Sequence, residues 1–231
     1  MRLPALAPVI SLFGACLVPY QVQFFSSGGR EEHWNPKSIP EMRMNAIIGF
    51  PLGGLLSIAI MAAAVPVLQP LQIDVAHLGQ VALPVAQAVG VAGLAVALLG
   101  FFSATFAAAA ECTLATGYLI AQYFGWTWGK MHRPAQAPRF QVVCLAAIIA
   151  ATAFILTTVD PITVTLVSVV LGAAAVPLTY FPVLIVANDR DYMGRHVNRA
   201  FSNTLGTVFL LLMLVTSIVT LPLLFWTKAG L

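Results

Sequence analysis

The sequence has 231 residues, of which 60% are hydrophobic and only 8% are charged, and its formal net charge is +3. A soluble domain carries about 25% charged residues because its surface faces water, so this composition excludes a water-soluble domain and indicates a surface that faces lipid. The basic residues are spread along the chain without forming a basic stripe, which argues against a nucleic-acid partner.

Six apolar segments each approach about 20 residues, the length that an α-helix needs to cross a hydrocarbon core of about 30 Å. In chain order their bounds are 3–25, 46–68, 91–112, 142–159, 162–186 and 205–226. We therefore predict an all-α membrane protein, with one transmembrane domain over residues 1–231 and the lipid bilayer as its main partner.

A proline and several polar residues interrupt the first span. Pro19 lies inside it, and Tyr20, Gln21 and Gln23 follow. Proline removes a backbone donor and clashes with the preceding turn of a helix. A span broken in this way is typical of transporter helices whose unwound backbone binds an ion, but a simple kink with glutamines facing other helices would give the same pattern.

Two later spans contain candidates for an ion or proton pathway. Glu111 is the only charged residue embedded in an apolar run, and a charge in lipid is usually retained for function. A position near the cytoplasmic interface would also explain it, since the third helix is predicted to outrun the bilayer. Tyr180 lies between Pro177 and Pro182 in the fifth span, where the prolines either line a pathway or bend the helix.

The basic residues predict the orientation of the chain. If the N-terminus lies outside, six spans place nine of the eleven basic residues in inside loops, as the positive-inside rule requires. The nine are Arg30, Lys37, Arg43, Lys130, Arg133, Arg139, Arg190, Arg195 and Arg199.

No catalytic pattern is recognisable. The four histidines fall in connections between spans, away from any buried nucleophile, and the three cysteines show neither a Cys-x-x-Cys motif nor a zinc-site spacing. We therefore expect neither an enzyme nor a bound cofactor.

Three stretches resemble the Nramp family of proton-coupled divalent-metal transporters. Residues 14–21, GACLVPYQ, resemble its broken sixth helix, whose usual core reads A-x-x-M-P-H-N. Residues 111–118, ECTLATGY, resemble the end of its eighth helix, and residues 187–199, ANDRDYMGRHVNR, resemble the loop before its eleventh helix. The resemblance implies a LeuT-like fold, with this chain as the second inverted repeat plus one extra helix.

The candidate metal site departs from the family pattern. The family's metal-binding methionine falls at Val18, and the histidine tied to proton movement falls at Tyr20. Loss of a soft ligand points away from iron and manganese, and residues 24–32 look more like the Nramp-related magnesium transporters. The resemblance then implies a backbone carbonyl ligand from Ala15, while Gln21 and Gln23 would bind the waters of a hydrated ion.

These features together imply transport of a divalent cation, Mg²⁺ or Mn²⁺, with possible proton coupling as a symporter. We expect a bacterial inner (plasma) membrane and an N-terminus outside. The family's first broken helix supplies an acidic ligand from an Asp-Pro-Gly motif, which this sequence lacks. This polypeptide alone is therefore expected to lack a complete site: either it is a fragment, or a second chain supplies the first five helices. The alternative function is a non-transporting truncated fragment or an assembly subunit of a membrane complex.

Overall fold

The structure is a computed structural model that describes residues 18–68, 70, 80, 82–157 and 161–226. Within these residues the regular structure is helical throughout, and no strand occurs. Five helices are long and apolar enough to cross a membrane: Pro36–Val67, Leu83–Tyr123, Pro138–Ile155, Val167–Asn188 and Ala200–Val219. The prediction of an all-α membrane protein is therefore confirmed.

The described residues form seven α-helices and two short 3₁₀ segments. The α-helices are α1 (Pro19–Glu31), α2 (Ile39–Leu68), α3 (Leu83–Tyr123), α4 (Pro138–Ile155), α5 (Pro161–Asn188), α6 (Arg190–Met193) and α7 (Ala200–Trp226), and the 3₁₀ segments are Pro36–Ser38 and Gly194–His196. Several helices extend beyond the predicted apolar spans, because hydropathy falls at the first polar residues whereas backbone hydrogen bonding continues through them.

The start of α1 is set by a proline. Val18 is extended, with φ −111° and ψ 107°, and Pro19 occupies the first helical position. Proline suits this position because its missing N–H would be unpaired there in any case. Residues 1–17, which include Ala15 and most of the first predicted span, lie outside the described residues.

The helices pack in an order that fixes their directions. Helix α1 packs along α3 and also contacts α5, while α2 contacts α3. Tyr20 interacts with Cys112, and Ser27 bonds to Gln122, so α1 and α3 run parallel. The Cys144 thiol of α4 donates to the Thr113 carbonyl of α3 at 3.7 Å, and the earlier Phe140 lies beside the later Gly117. Helices α3 and α4 therefore run antiparallel.

Helices α5 and α7 form the other close pair. The Ser217 hydroxyl donates to the Ala174 carbonyl at 3.1 Å, and a Cβ at Gly206 would lie 2.9 Å from a Leu184 methyl group. The later residues of α7 therefore lie beside the earlier residues of α5, and the two helices run antiparallel.

Two glycines form a sharp corner near the beginning of α3. Gly90 has φ 73° and ψ −157°, so the helix consists of a short segment before this residue and a long one after it. A Cβ at Gly93 would lie 2.6 Å from the Cβ of Val89 and 3.1 Å from the carbonyl oxygen of Val85. The short segment is thus folded closely against the first turn of the long one.

The α3–α4 contact contains the main buried cluster of the described residues. Tyr118, Ala121, Ala137, Phe140 and Cys144 form it, and Phe24 of α1 packs against it. Gly117 allows the two helices to approach, since a Cβ there would lie 2.5 Å from the Cys144 sulfur and 2.8 Å from the Phe140 ring.

We predict that Gly117→Ala destabilises the protein by about 1–3 kcal/mol, the usual effect of overpacking a tight contact. Gly100→Ala in the same helix is the matched control, because nothing lies within 4 Å of a Cβ at that position. The control should leave stability unchanged or raise it slightly, since alanine is the better helix former. Thermal unfolding in detergent provides the comparison, and equal melting temperatures for the two variants would contradict the prediction.

Candidate functional site

One stripe of α1 faces α3. Tyr20, Phe24, Ser27 and Glu31 are spaced by four, three and four residues, which places them on one side of a helix. Each has a partner on or beside α3. Polar residues stand at both ends of the stripe and form two groups, which we call the Tyr20 group and the Glu31 group.

The Tyr20 group consists of Tyr20, Glu111 and Cys112. The Tyr20 side chain interacts with the Cys112 thiol, and both lie close enough to Glu111 to feel its charge. Glu111 is half-buried and is the only charged residue of α3. Two residues predicted independently from different spans, Tyr20 and Glu111, are thus neighbours in the structure.

The other predicted site residues lie outside this group. Val18 immediately precedes α1, and Gln21 and Gln23 are half-buried at positions on either side of the stripe that faces α3. The Tyr180 hydroxyl lies 3.3 Å from where a Cβ would be at Gly206, so it faces α7. Among the described residues, no three His, Cys, Asp or Glu side chains gather closely enough to hold a metal ion.

The Glu31 group, which consists of Glu31, Tyr118 and Met131, was not predicted from the sequence. Glu31 accepts a hydrogen bond of 2.7 Å from the Tyr118 hydroxyl and one of 2.6 Å from the backbone N–H of Met131. Tyr118 is fully buried, with its ring against Trp128 and Phe140. Hydrogen bonds to a charged group contribute about 1.5–3 kcal/mol each, so this carboxylate is a strong link between α1, α3 and the connection between α3 and α4.

A second hydrogen bond crosses the same interface. Ser27 is 3% exposed, and its hydroxyl accepts a hydrogen bond of 2.8 Å from the Gln122 side-chain amide. This bond lies one helical turn before Glu31, so the two contacts hold the same end of α1.

The contacts at the rim of the group are weaker. Lys130 forms an ion pair of 2.5 Å with Glu32, and Trp34 also donates to that carboxylate. The hydrogen bond and charge of Lys130 lower the pKa of Glu32. Both side chains of the pair are about one-third exposed, and ion pairs in contact with water contribute little. The Arg30 guanidinium lies over the Trp128 ring at 5.8 Å.

A capping turn at residues 29–34 closes the C-terminal end of α1, next to Glu31. The backbone N–H of Trp34 donates to the Gly29 carbonyl at 2.9 Å, and His33 has φ 53°. These are features of a helix end closed by a left-handed residue, a position where glycine is favoured. The Trp34 ring packs on Gly29, where a Cβ would lie only 2.7 Å from it.

A family model of known proteins matches most of the chain. The family model described as Nramp, natural resistance-associated macrophage protein-like, matches residues 3–222. Neither the search of curated proteins nor the search of solved structures found a match.

We predict that Ser27→Ala destabilises the protein by about 1 kcal/mol, because it removes the part-buried hydrogen bond between Gln122 and the 3% exposed Ser27 hydroxyl. Ser26→Ala is the matched control, since the exposed Ser26 hydroxyl bonds only to the Gln23 carbonyl of its own helix. Denaturant unfolding of both variants provides the measurement. A Ser27 variant as stable as the Ser26 variant would show that the bond to Gln122 contributes nothing.

Proposed function

Because this chain belongs to the Nramp family of divalent-metal transporters, we propose that it moves a divalent cation past the beginning of α1. The observation that carries the proposal is the contact of Tyr20 with Cys112, beside Glu111. It places the only charged residue of α3 next to the point at which α1 begins.

The chemistry of Glu111 supports a role with a cation or a proton. An acidic side chain within a membrane helix is costly and is normally retained for an ion or proton pathway. In this proposal Glu111 attracts the cation or carries the coupled proton. Tyr20 holds its phenolic proton at neutral pH, so it would orient the site by hydrogen bonding rather than exchange protons.

The residues around the start of α1 favour a hydrated ion, Mg²⁺ over Mn²⁺. Val18 offers no side-chain ligand, and the amide oxygens of Gln21 and Gln23 are hard donors. Mg²⁺ releases its waters reluctantly and suits such partners. The N-terminal end of α1 carries partial positive charge, so the cation would bind on the carbonyl side, towards Ala15.

Further helices would complete the site. We propose that they supply the acidic ligand expected from the family's first broken helix, from a second chain or elsewhere in the same polypeptide. The surface of α2 offers one place for them, because Gly49 and Gly53 have nothing within 4 Å of an added Cβ, and this spacing of glycines favours close helix packing in membranes.

The proposed orientation places the Glu31 group in the cytoplasm and the beginning of the chain outside, in a bacterial inner membrane. Two loops that are basic in sequence, around Arg30 and Lys130, meet in this group at one end of the bundle. Their shared side supports the topology drawn from the positive-inside rule.

We predict that Glu111→Gln lowers Mg²⁺ uptake about tenfold or more, as expected when at least about 1.4 kcal/mol of ion stabilisation is lost. The measurement is Mg²⁺ uptake into liposomes that contain the protein with any chain that co-purifies with it. Glu41→Gln is the matched control, because Glu41 is an exposed acidic residue in the first turn of α2.

Two results would count against this function. Equal uptake by the Glu111 and Glu41 variants would remove Glu111 from the pathway. Absence of uptake of both Mg²⁺ and Mn²⁺ by the intact assembly would favour a non-transporting subunit.

A further inference from the structure

We propose that Glu31, Tyr118 and the backbone of Met131 form a releasable latch, which holds the C-terminal end of α1 against α3 and must open when α1 moves. The latch is a conformational device that is separate from the candidate ion site. Its part in transport rests on the proposed function, whereas the latch itself rests on the contacts at Glu31 alone.

The latch joins three elements through one carboxylate. Its two oxygens are used separately: Oε2 accepts from Tyr118 at 2.7 Å, and Oε1 accepts from the Met131 N–H at 2.6 Å. Tyr118 belongs to the buried α3–α4 cluster, and Met131 belongs to the connection between those helices. Loss of this single side chain would therefore remove the contacts of Glu31 with both elements at once.

The α3–α4 connection is built to receive the carboxylate. Gly129 has φ 132°, and a Cβ there would lie 2.7 Å from Glu31 Oε1. A side chain at this position would both strain the backbone and push the carboxylate away. The glycine is thus required by conformation and by space, and both requirements concern the approach to Glu31.

The rest of the α1–α3 contact is poorly suited to permanent attachment. The buried residues of α1 are Ser27 and Gly29, and neither contributes a large apolar side chain. Phe24 packs against the buried α3–α4 cluster about two turns before Glu31, so a separation limited to the last turn of α1 mainly breaks polar contacts that water can replace. A helix held in this way can be released and recaptured without unfolding.

The latch lies at the opposite end of the stripe from Tyr20. Eleven residues separate Tyr20 from Glu31, which is about 17 Å along a helix. Because a helix of this length moves as a rigid rod, release at Glu31 allows the Tyr20 end to change its angle to Glu111. Opening at the latch and rearrangement at the candidate ion site are thus mechanically connected.

The test uses Ser27→Cys as a reporter, because Ser27 is buried in the α1–α3 contact one turn from Glu31. The native cysteines are kept, because Cys112 belongs to the Tyr20 group and Cys144 to the buried cluster, and labelling of the protein without Ser27→Cys is subtracted as background. A membrane-impermeant maleimide is then applied to purified protein in lipid nanodiscs, and the labelling rate is measured. We expect Tyr118→Phe, which removes only the hydroxyl, to raise this rate about tenfold, as for loss of a charge-assisted hydrogen bond.

The controls separate the latch from general loosening. Tyr123→Phe changes an 82% exposed tyrosine of the same helix and should leave the rate unchanged. Gly129→Ala should raise it, whereas Gly28→Ala, with open space around its Cβ, should not. Glu31→Gln combined with Tyr118→Phe should label no faster than the faster single variant, because both remove the same bond.

Three outcomes would overturn the latch. These are equal rates for the Tyr118 and Tyr123 variants, multiplied effects in the double variant, and a Tyr118→Phe protein that no longer folds, which would make the contact a permanent scaffold. Added Mg²⁺ should change the rate in the parent protein but not in Tyr118→Phe. A latch effect without any response to Mg²⁺ or Mn²⁺ would overturn the proposed function alone.

Discussion

The attachment of α1 to α3 depends on side chains that can bond to water as readily as to each other. Helix α1 buries only Ser27 and Gly29 completely, so apolar burial cannot hold it as it holds the α3–α4 pair. Phe24 contributes some packing against the buried cluster, and the polar partners of Tyr20, Ser27 and Glu31 provide the remainder. The result is a helix held mainly by polar contacts, next to helices that are held by close apolar packing.

This difference in packing between α1 and the paired helices suits a transporter. The close glycine contact at Gly117 fixes α3 to α4, and a second, slightly wider glycine contact at Gly206 joins α7 to α5. Between these two pairs lies α1, which contacts both α3 and α5. A short element between two rigid pairs can change its angle while the pairs keep theirs, which is how hinge and shear motions are usually divided in proteins.

The sequence predicted the features that depend on composition and on local pattern. Apolar length predicted membrane helices, because the bilayer sets that length directly, and the stretches around Pro19, Glu111 and Asn188 pointed to the Nramp family that the family match then confirmed. Pro19 begins α1 because its ring suits a first turn. Each of these signals is carried by residues that lie close together in the sequence, so none of them requires knowledge of the tertiary structure.

The Glu31 group could not be predicted in this way, because its partners are distant in sequence. Tyr118 is 87 residues from Glu31, and Met131 is 100 residues away. In the sequence Glu31 lies between the charged residues Arg30 and Glu32, a pattern typical of a solvent-exposed loop. In the structure it is the last residue of α1. The direction of Tyr180 towards α7 depends likewise on the rotation of α5 about its own axis, which its sequence of small and apolar residues leaves open.

The corner at Gly90 and Gly93 has a consequence for how the chain tolerates change. Gly90 is constrained by torsion alone, since nothing lies near its missing side chain, whereas Gly93 is constrained by the crowding of Val85 and Val89. Two independent restrictions therefore set the angle between the short first segment of α3 and its long second segment. Alanine in place of the valines would not relieve the crowding, because its closest atoms are the Cβ of Val89 and the backbone oxygen of Val85. No neighbouring substitution can supply the backbone freedom that Gly90 provides either.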